Sequence, residues 1–136
     1  MTACWGCPRC LETDPAKAWA WLSARARPRR GLLHEPHFGL SVTTCSACGQ
    51  RFARVFTERI DWRGGEDPQR TDLIPLRAEE AQALADDVTR AGGRGVAALL
   101  ARVTSDGRRR LVWDWPSGQG AHIVWMTSAF RIPRHD

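Results

Sequence analysis

Five cysteines in two tight groups constrain this chain more than anything else in its 136 residues: Cys4, Cys7 and Cys10 near the start, then Cys45 and Cys48. The rest of the sequence has none. An odd number of cysteines at two-residue spacing makes a poor disulfide framework. It makes a good ligand set, because a tight turn lets two thiolates converge on one ion and two such turns close a tetrahedron. The opening Met1-Thr2-Ala3-Cys4 lacks the basic flank and apolar stretch of an export signal. A cytoplasmic setting is therefore expected, in which thiols stay reduced. Whatever the fold, it must bring the two groups together.

The second group lies within Phe38-Gly39-Leu40-Ser41-Val42-Thr43-Thr44-Cys45-Ser46-Ala47-Cys48-Gly49-Gln50-Arg51-Phe52. This reads as a β-prone run, a knuckle and the start of a second strand, predicted over Arg51 to Trp62. Gly49 supplies backbone freedom where amides turn toward sulfur. On the outgoing strand Phe52, Phe56, Ile60 and Trp62 share one parity, interrupted by Arg54 and Glu58, so one apolar face is expected. In the first group Cys7-Pro8-Arg9-Cys10 is the better knuckle, because Pro8 pre-sets its turn. Cys4 is then spare.

The pattern Cys7-x2-Cys10-x34-Cys45-x2-Cys48 resembles the zinc-ribbon or zinc-knuckle class over roughly residues 4–62. The resemblance implies one structural zinc held by Cys7, Cys10, Cys45 and Cys48. The chain departs from the commonest form in carrying Leu11 where a glycine would follow Cys10, and in the length of its insert. The stretch Cys45-Ser46-Ala47-Cys48-Gly49 is also similar to the double-CXXCG proteins of myxobacteria. Some of those occur in toxin–immunity neighbourhoods, which implies an immunity-type role through a protein partner.

Two rival ligand sets use the same region. Cys4-x2-Cys7-x2-Cys10-x3-Asp14-Pro15 mimics a bacterial ferredoxin run with Asp14 in the fourth place, so an iron–sulfur redox protein is the third reading. His34-Glu35-Pro36-His37 offers His34 and His37 as alternative ligands, alongside Cys4. Pro36 keeps that segment off a helix.

The net charge of +5 invites a nucleic-acid reading. Of the 20 basic residues all but Lys17 are arginine, and tyrosine is absent, which suggests the drift of a high-GC genome. Residues 61–100 carry 5 basic and 8 acidic side chains while both flanking segments are basic, so the charge is polarised. Asp14-Pro15 predicts a helix start, with Ala16 to Arg27 helical before Pro28. Arg25, Arg27, Arg29 and Arg30 form the strongest basic cluster. It is either a solvated helix end favoured by the helix dipole or, with Arg51, Arg54 and Arg59, a phosphate-contact surface.

Residues 63–72 read as a connection. A second helix is predicted over Ala78 to Ala91, ended by Gly92-Gly93, and Val96 to Val103 suits a short helix. A C-terminal hairpin follows, its strands alternating through Leu111, Trp113 and Trp115 and through Ile123 and Trp125 about Pro116-Ser117-Gly118-Gln119-Gly120. Apolar residues on both of its faces imply cover by helices on one side and, on the other, by a partner or equally by the ribbon. Trp113, Trp115 and Trp125 are the candidate partner-binding anchors.

The expected class is α+β, a small single domain. Residues 1–62 form a zinc-ribbon-like β-hairpin with an inserted helix, and 63–136 a helix and an antiparallel hairpin, packed together. The sequence has no Gly-x-Ser-x-Gly elbow, no His-Glu-x-x-His and no Gly-rich nucleotide loop, and a four-thiolate zinc has no open position to activate water. No apolar run reaches the ~18 residues of a membrane span. A non-catalytic zinc protein that binds a protein partner, as an adaptor or immunity-type protein, is the leading expectation. A nucleic-acid-binding, transcription-associated ribbon is the alternative.

Overall fold

The computed structural model describes residues 5–59, 67–116 and 120–132, and of residues 25–30 the backbone alone. Helix α1 (Pro15–Arg25) starts as its sequence demands: the Asp14 carboxylate accepts the Ala16 N–H at 3.0 Å and Pro15 takes the first helical place. The helix does not reach Arg27. At Ala26 the chain turns directly into β1 (Ala26–Glu35), because Ala26 and Arg27 pair with Cys45 and Thr44 of β2 (Phe38–Cys45). The basic cluster expected at a helix end therefore lies mostly on an edge strand, where Pro28 is tolerated.

β2 runs into β3 (Arg51–Glu58) through the second cysteine knuckle, as predicted, although the strand stops at Glu58; Ile60 and Trp62 lie outside the described residues. β4 (Gln69–Leu76) corrects the reading of 63–72 as connection alone. Its Pro75 and Asp72 disguise it in sequence. Asp72 is fully buried and is tolerated because Arg70 and Arg110 bind its two oxygens at 2.8 and 3.0 Å. Helix α2 (Ala78–Ala91), helix α3 (Val96–Val103), β5 (Arg110–Trp115) and β6 (His122–Met126) follow. All six strands form one antiparallel sheet in chain order, and α2 and α3 fill the connection between β4 and β5.

Both faces of this sheet are covered, rather than the single face expected of β3. Ala53 and Val55 join Leu40, Ile74, Leu84, Val96, Leu100 and Phe130 in a core beneath α2 and α3. Phe52, one residue away, joins Leu73, Leu111, Ala18, Leu22, Cys10 and Cys45 in a second core beneath α1. Strand alternation requires this split. The fold is α+β, a single small domain whose described residues form three α-helices and a six-stranded antiparallel sheet, with two cores on opposite sides. No helix among the described residues is long and apolar enough to cross a membrane.

Candidate metal centre

The knuckle between β2 and β3 is held by its own backbone. The Cys45 N–H donates to the Gln50 carbonyl and the Gly49 N–H to the Cys45 carbonyl, each at 2.9 Å. Gly49 has φ +81°, the left-handed conformation expected there. The Gln50 amide ties the knuckle to the sheet by donating to the carbonyls of Arg51 and Leu76 at 2.8 Å. In the first knuckle the Leu11 N–H donates to the Cys7 carbonyl at 2.9 Å, and the Cys7 N–H donates to the Cys10 sulfur at 3.2 Å. The glycine missing after Cys10 is supplied before Cys7. Gly6 has φ +127°, and a Cβ there would lie 2.3 Å from the Cys10 sulfur. Nothing but glycine fits.

The two knuckles meet. The sulfurs of Cys7 and Cys10 are 3.8 Å apart, those of Cys7 and Cys45 3.9 Å, and those of Cys10 and Cys48 3.8 Å; all four lie within 4.8 Å of one another. A tetrahedron of metal–sulfur bonds of about 2.3 Å has edges of about 3.8 Å. These four residues could hold one metal ion. A multinuclear cluster, which places several metal and sulfide atoms between its thiolates, needs a wider cage.

Electrostatics also favour a cation at the centre. Burial pushes the Cys10 thiol well above its ordinary range, and the neighbouring Cys45 and Cys48 push the same way. Burial likewise raises Cys48. At Cys45 burial is outweighed by hydrogen bonding from the Trp21 side chain and from the Cys48 and Ala47 backbone, so this thiol is brought down to about 7. Four sulfurs this close repel once ionised, and a divalent ion relieves that repulsion for all four.

A layer of arginine–tryptophan stacks surrounds the site. Arg9 lies 5.0 Å over the Trp21 ring, while Arg77 and Arg108 lie 5.0 and 4.2 Å over Trp5. Arg108 is itself buried. It donates to both Glu80 oxygens at 2.7 and 2.8 Å, to Asp106, and to the Pro75 carbonyl at 2.7 Å. Burial raises the Glu80 carboxyl, but hydrogen bonds from Arg108 and Arg77 hold it below its usual value; Arg108 itself is held protonated. Trp5, Trp21, Gly6 and Gln50 are the supporting residues that sequence reasoning missed. The nearness of Trp5, two residues before Cys7, was an available signal, whereas Trp21, eleven residues past Cys10, carried none.

The other predicted residues lie elsewhere. Cys4 is outside the described residues. His34 and His37 sit at the end of the β1–β2 hairpin away from Cys45, roughly 20–25 Å along the strand, and His37 Nδ1 is 3.1 Å from Glu58. Arg25 ends α1 and Arg27, Arg29 and Arg30 belong to β1, but their side chains are outside the described set. Arg51 and Arg59 are exposed, whereas Arg54 lies 5.4 Å over Trp19.

Trp113, Trp115 and Trp125 are each half-buried. Trp113 stacks on Trp19 of α1 with centroids 6.2 Å apart. Trp125 donates its indole N–H to the Glu12 carbonyl at 2.9 Å and carries Arg109 4.4 Å above its ring. They share the strand parity that faces α1. The opposite face of β6 presents His122, Val124 and Met126 to solvent.

Comparison of the chain with protein-family models, with curated proteins and with solved structures returns no match.

Proposed function

We propose that this chain is a non-catalytic zinc protein that acts by binding a protein partner, as an adaptor or immunity-type protein does. One structural zinc held by Cys7, Cys10, Cys45 and Cys48 pins the N-terminal knuckle and α1 to the sheet. The observation carrying this reading is the set of four sulfurs at the edge lengths of a zinc tetrahedron, with every position filled by the chain. Zinc in such a site has no vacancy for water or substrate, so its contribution is to folding. The partner surface in this reading lies on the C-terminal hairpin, where Trp113, Trp115 and Trp125 are half-buried and His122, Val124 and Met126 of β6 are exposed. Several arginines support this choice over nucleic acid, because Arg9, Arg54, Arg77, Arg108 and Arg109 are stacked on tryptophans.

Elemental analysis of protein purified without added metal tests the metal: about one zinc per chain and no iron is expected. Iron with visible charge-transfer absorption would favour the redox reading. A mobility shift with generic DNA and RNA tests the partner class. Binding that weakens steeply with salt and is lost on neutralising Arg25, Arg27, Arg29 and Arg30 together would replace the protein partner with nucleic acid.

A further inference from the structure

The two edges of the sheet are built differently. β1 carries Arg27, Pro28, Arg29, Arg30 and Glu35, and its register with β2 breaks between Arg27 and Arg30 and again between Gly31 and Leu33. Charges, proline and bulges are the devices by which an edge strand avoids pairing with another chain. β6 has none of them. Its sequence His122-Ile123-Val124-Trp125-Met126 contains no proline, glycine, lysine, arginine or carboxylate, and its register with β5 is unbroken. Among the described residues no strand pairs with its outer side. Val124, Met126 and Ile132 are the large apolar side chains exposed among the described residues, at 43%, 37% and 41%, and two of the three lie on this strand.

We propose that β6 pairs antiparallel with β6 of a second copy of this chain, joining two six-stranded sheets across a two-fold axis at Val124. This rests on the protein-partner reading above and names the partner. The occupant follows from charge and symmetry. An identical strand meets no like charge here: Val124 faces Val124 of the other copy, and His122 faces Met126. The apolar side chains of both copies then adjoin on one face. β1 is a poor partner for a second β1, because Pro28 and two register breaks interrupt its edge. Pairing β1 with β6 would be head-to-tail and would not close as a dimer. The β6 pairing is closed, free of repulsion and carried by an uninterrupted edge. Five residues per strand make a small interface, so the dimer is expected to be weak and to dissociate on dilution.

Sedimentation of the zinc-loaded full chain from ~1 to ~300 μM, a range in which weak association becomes visible, tests the pairing. A monomer–dimer equilibrium is expected. Val124→Lys and Val124→Glu should each be monomeric throughout, because each places like charges opposite one another. An equimolar mixture of the two should recover the dimer. Both substitutions are at an exposed position, and Met126→Lys supplies a second variant if either fails to fold. A monomer at every concentration, a dimer indifferent to Val124→Lys, or an open-ended assembly would each overturn the self-pairing. The first of these would leave binding of a different protein intact, whereas loss of zinc with unchanged dimerisation would count against the metal reading alone.

Discussion

At the scale of single residues the centre depends on groups that touch sulfur without being ligands. Gly6 is the sharpest case, since both its conformation and its clearance of Cys10 exclude a side chain. Gly6→Ala should lower zinc affinity by about 10–100-fold, the usual effect of disturbing groups around a metal's ligands. Gly49→Ala is the control: it meets no atom within 4 Å and suffers only from its positive φ. Competition with a chromophoric chelator should rank Gly6→Ala well below Gly49→Ala. Equal affinities would mean that the first knuckle rearranges freely. Of these two glycines only Gly49 could be recognised from the sequence, because it follows a cysteine in a familiar place. Gly6 is required by an atom four residues away in a particular turn.

Among the elements, α2 is tied to the rest by its first turn. The Arg77 N–H donates to Glu80 at 2.7 Å, and the same carboxylate holds the buried Arg108, which supports Trp5 beside the first knuckle. The folded Glu80 carboxyl is held below its unfolded value of about 4.3. Its stabilisation is therefore complete above that value and is lost as pH falls through the folded one. Glu80→Gln should lower stability by about 2 kcal/mol at neutral pH, the size of a hydrogen bond to a charged group. In denaturant titrations the difference between the two proteins should hold down to about pH 5 and shrink below about pH 4. Both lose thiolate ligation in acid, so the difference isolates the carboxylate. A difference that grows in acid would contradict the assignment. The helix itself was legible from its acidic first turn and glycine end, whereas β4 was not. A strand bearing Asp72 and Pro75 makes sense only once Arg70 and Arg110 neutralise the one and a neighbouring strand accommodates the other.

For the molecule as a whole, the two cores should respond differently to metal. Cys10 and Cys45 are part of the α1-side core, while the core beneath α2 and α3 contains no cysteine. The core beneath α2 and α3 is closed instead by the C-terminal segment. Phe130 is buried in it, its N–H donates to Thr104 at 2.7 Å, and Arg70 and Arg110 donate to the carbonyls of Arg131 and Ser128. Removing zinc with a chelator should therefore strip hydrogen-exchange protection first from α1 and both knuckles, and later or not at all from β3, β4 and α2. Uniform loss across both cores would show that the sheet transmits the metal's stabilisation throughout.

The cysteine spacing by itself pointed to two knuckles meeting, because each Cys-x-x-Cys turn supplies only two of the four thiolates that close a tetrahedron around one ion. Cap and glycine signals placed α1 and α2, and strict alternation placed β5 and β6. These are local properties, readable over a few residues. Tertiary structure decided the remainder. Whether Ala26 extends a helix or enters a strand depends on its pairing with Cys45, and whether 69–76 is a loop or a central strand depends on arginines at positions 70 and 110. Which face of β6 is exposed depends on Trp19 stacking on Trp113 and Glu12 holding Trp125, contacts between segments about a hundred residues apart. Such choices rest on the free energy of long-range contacts, which no local pattern encodes.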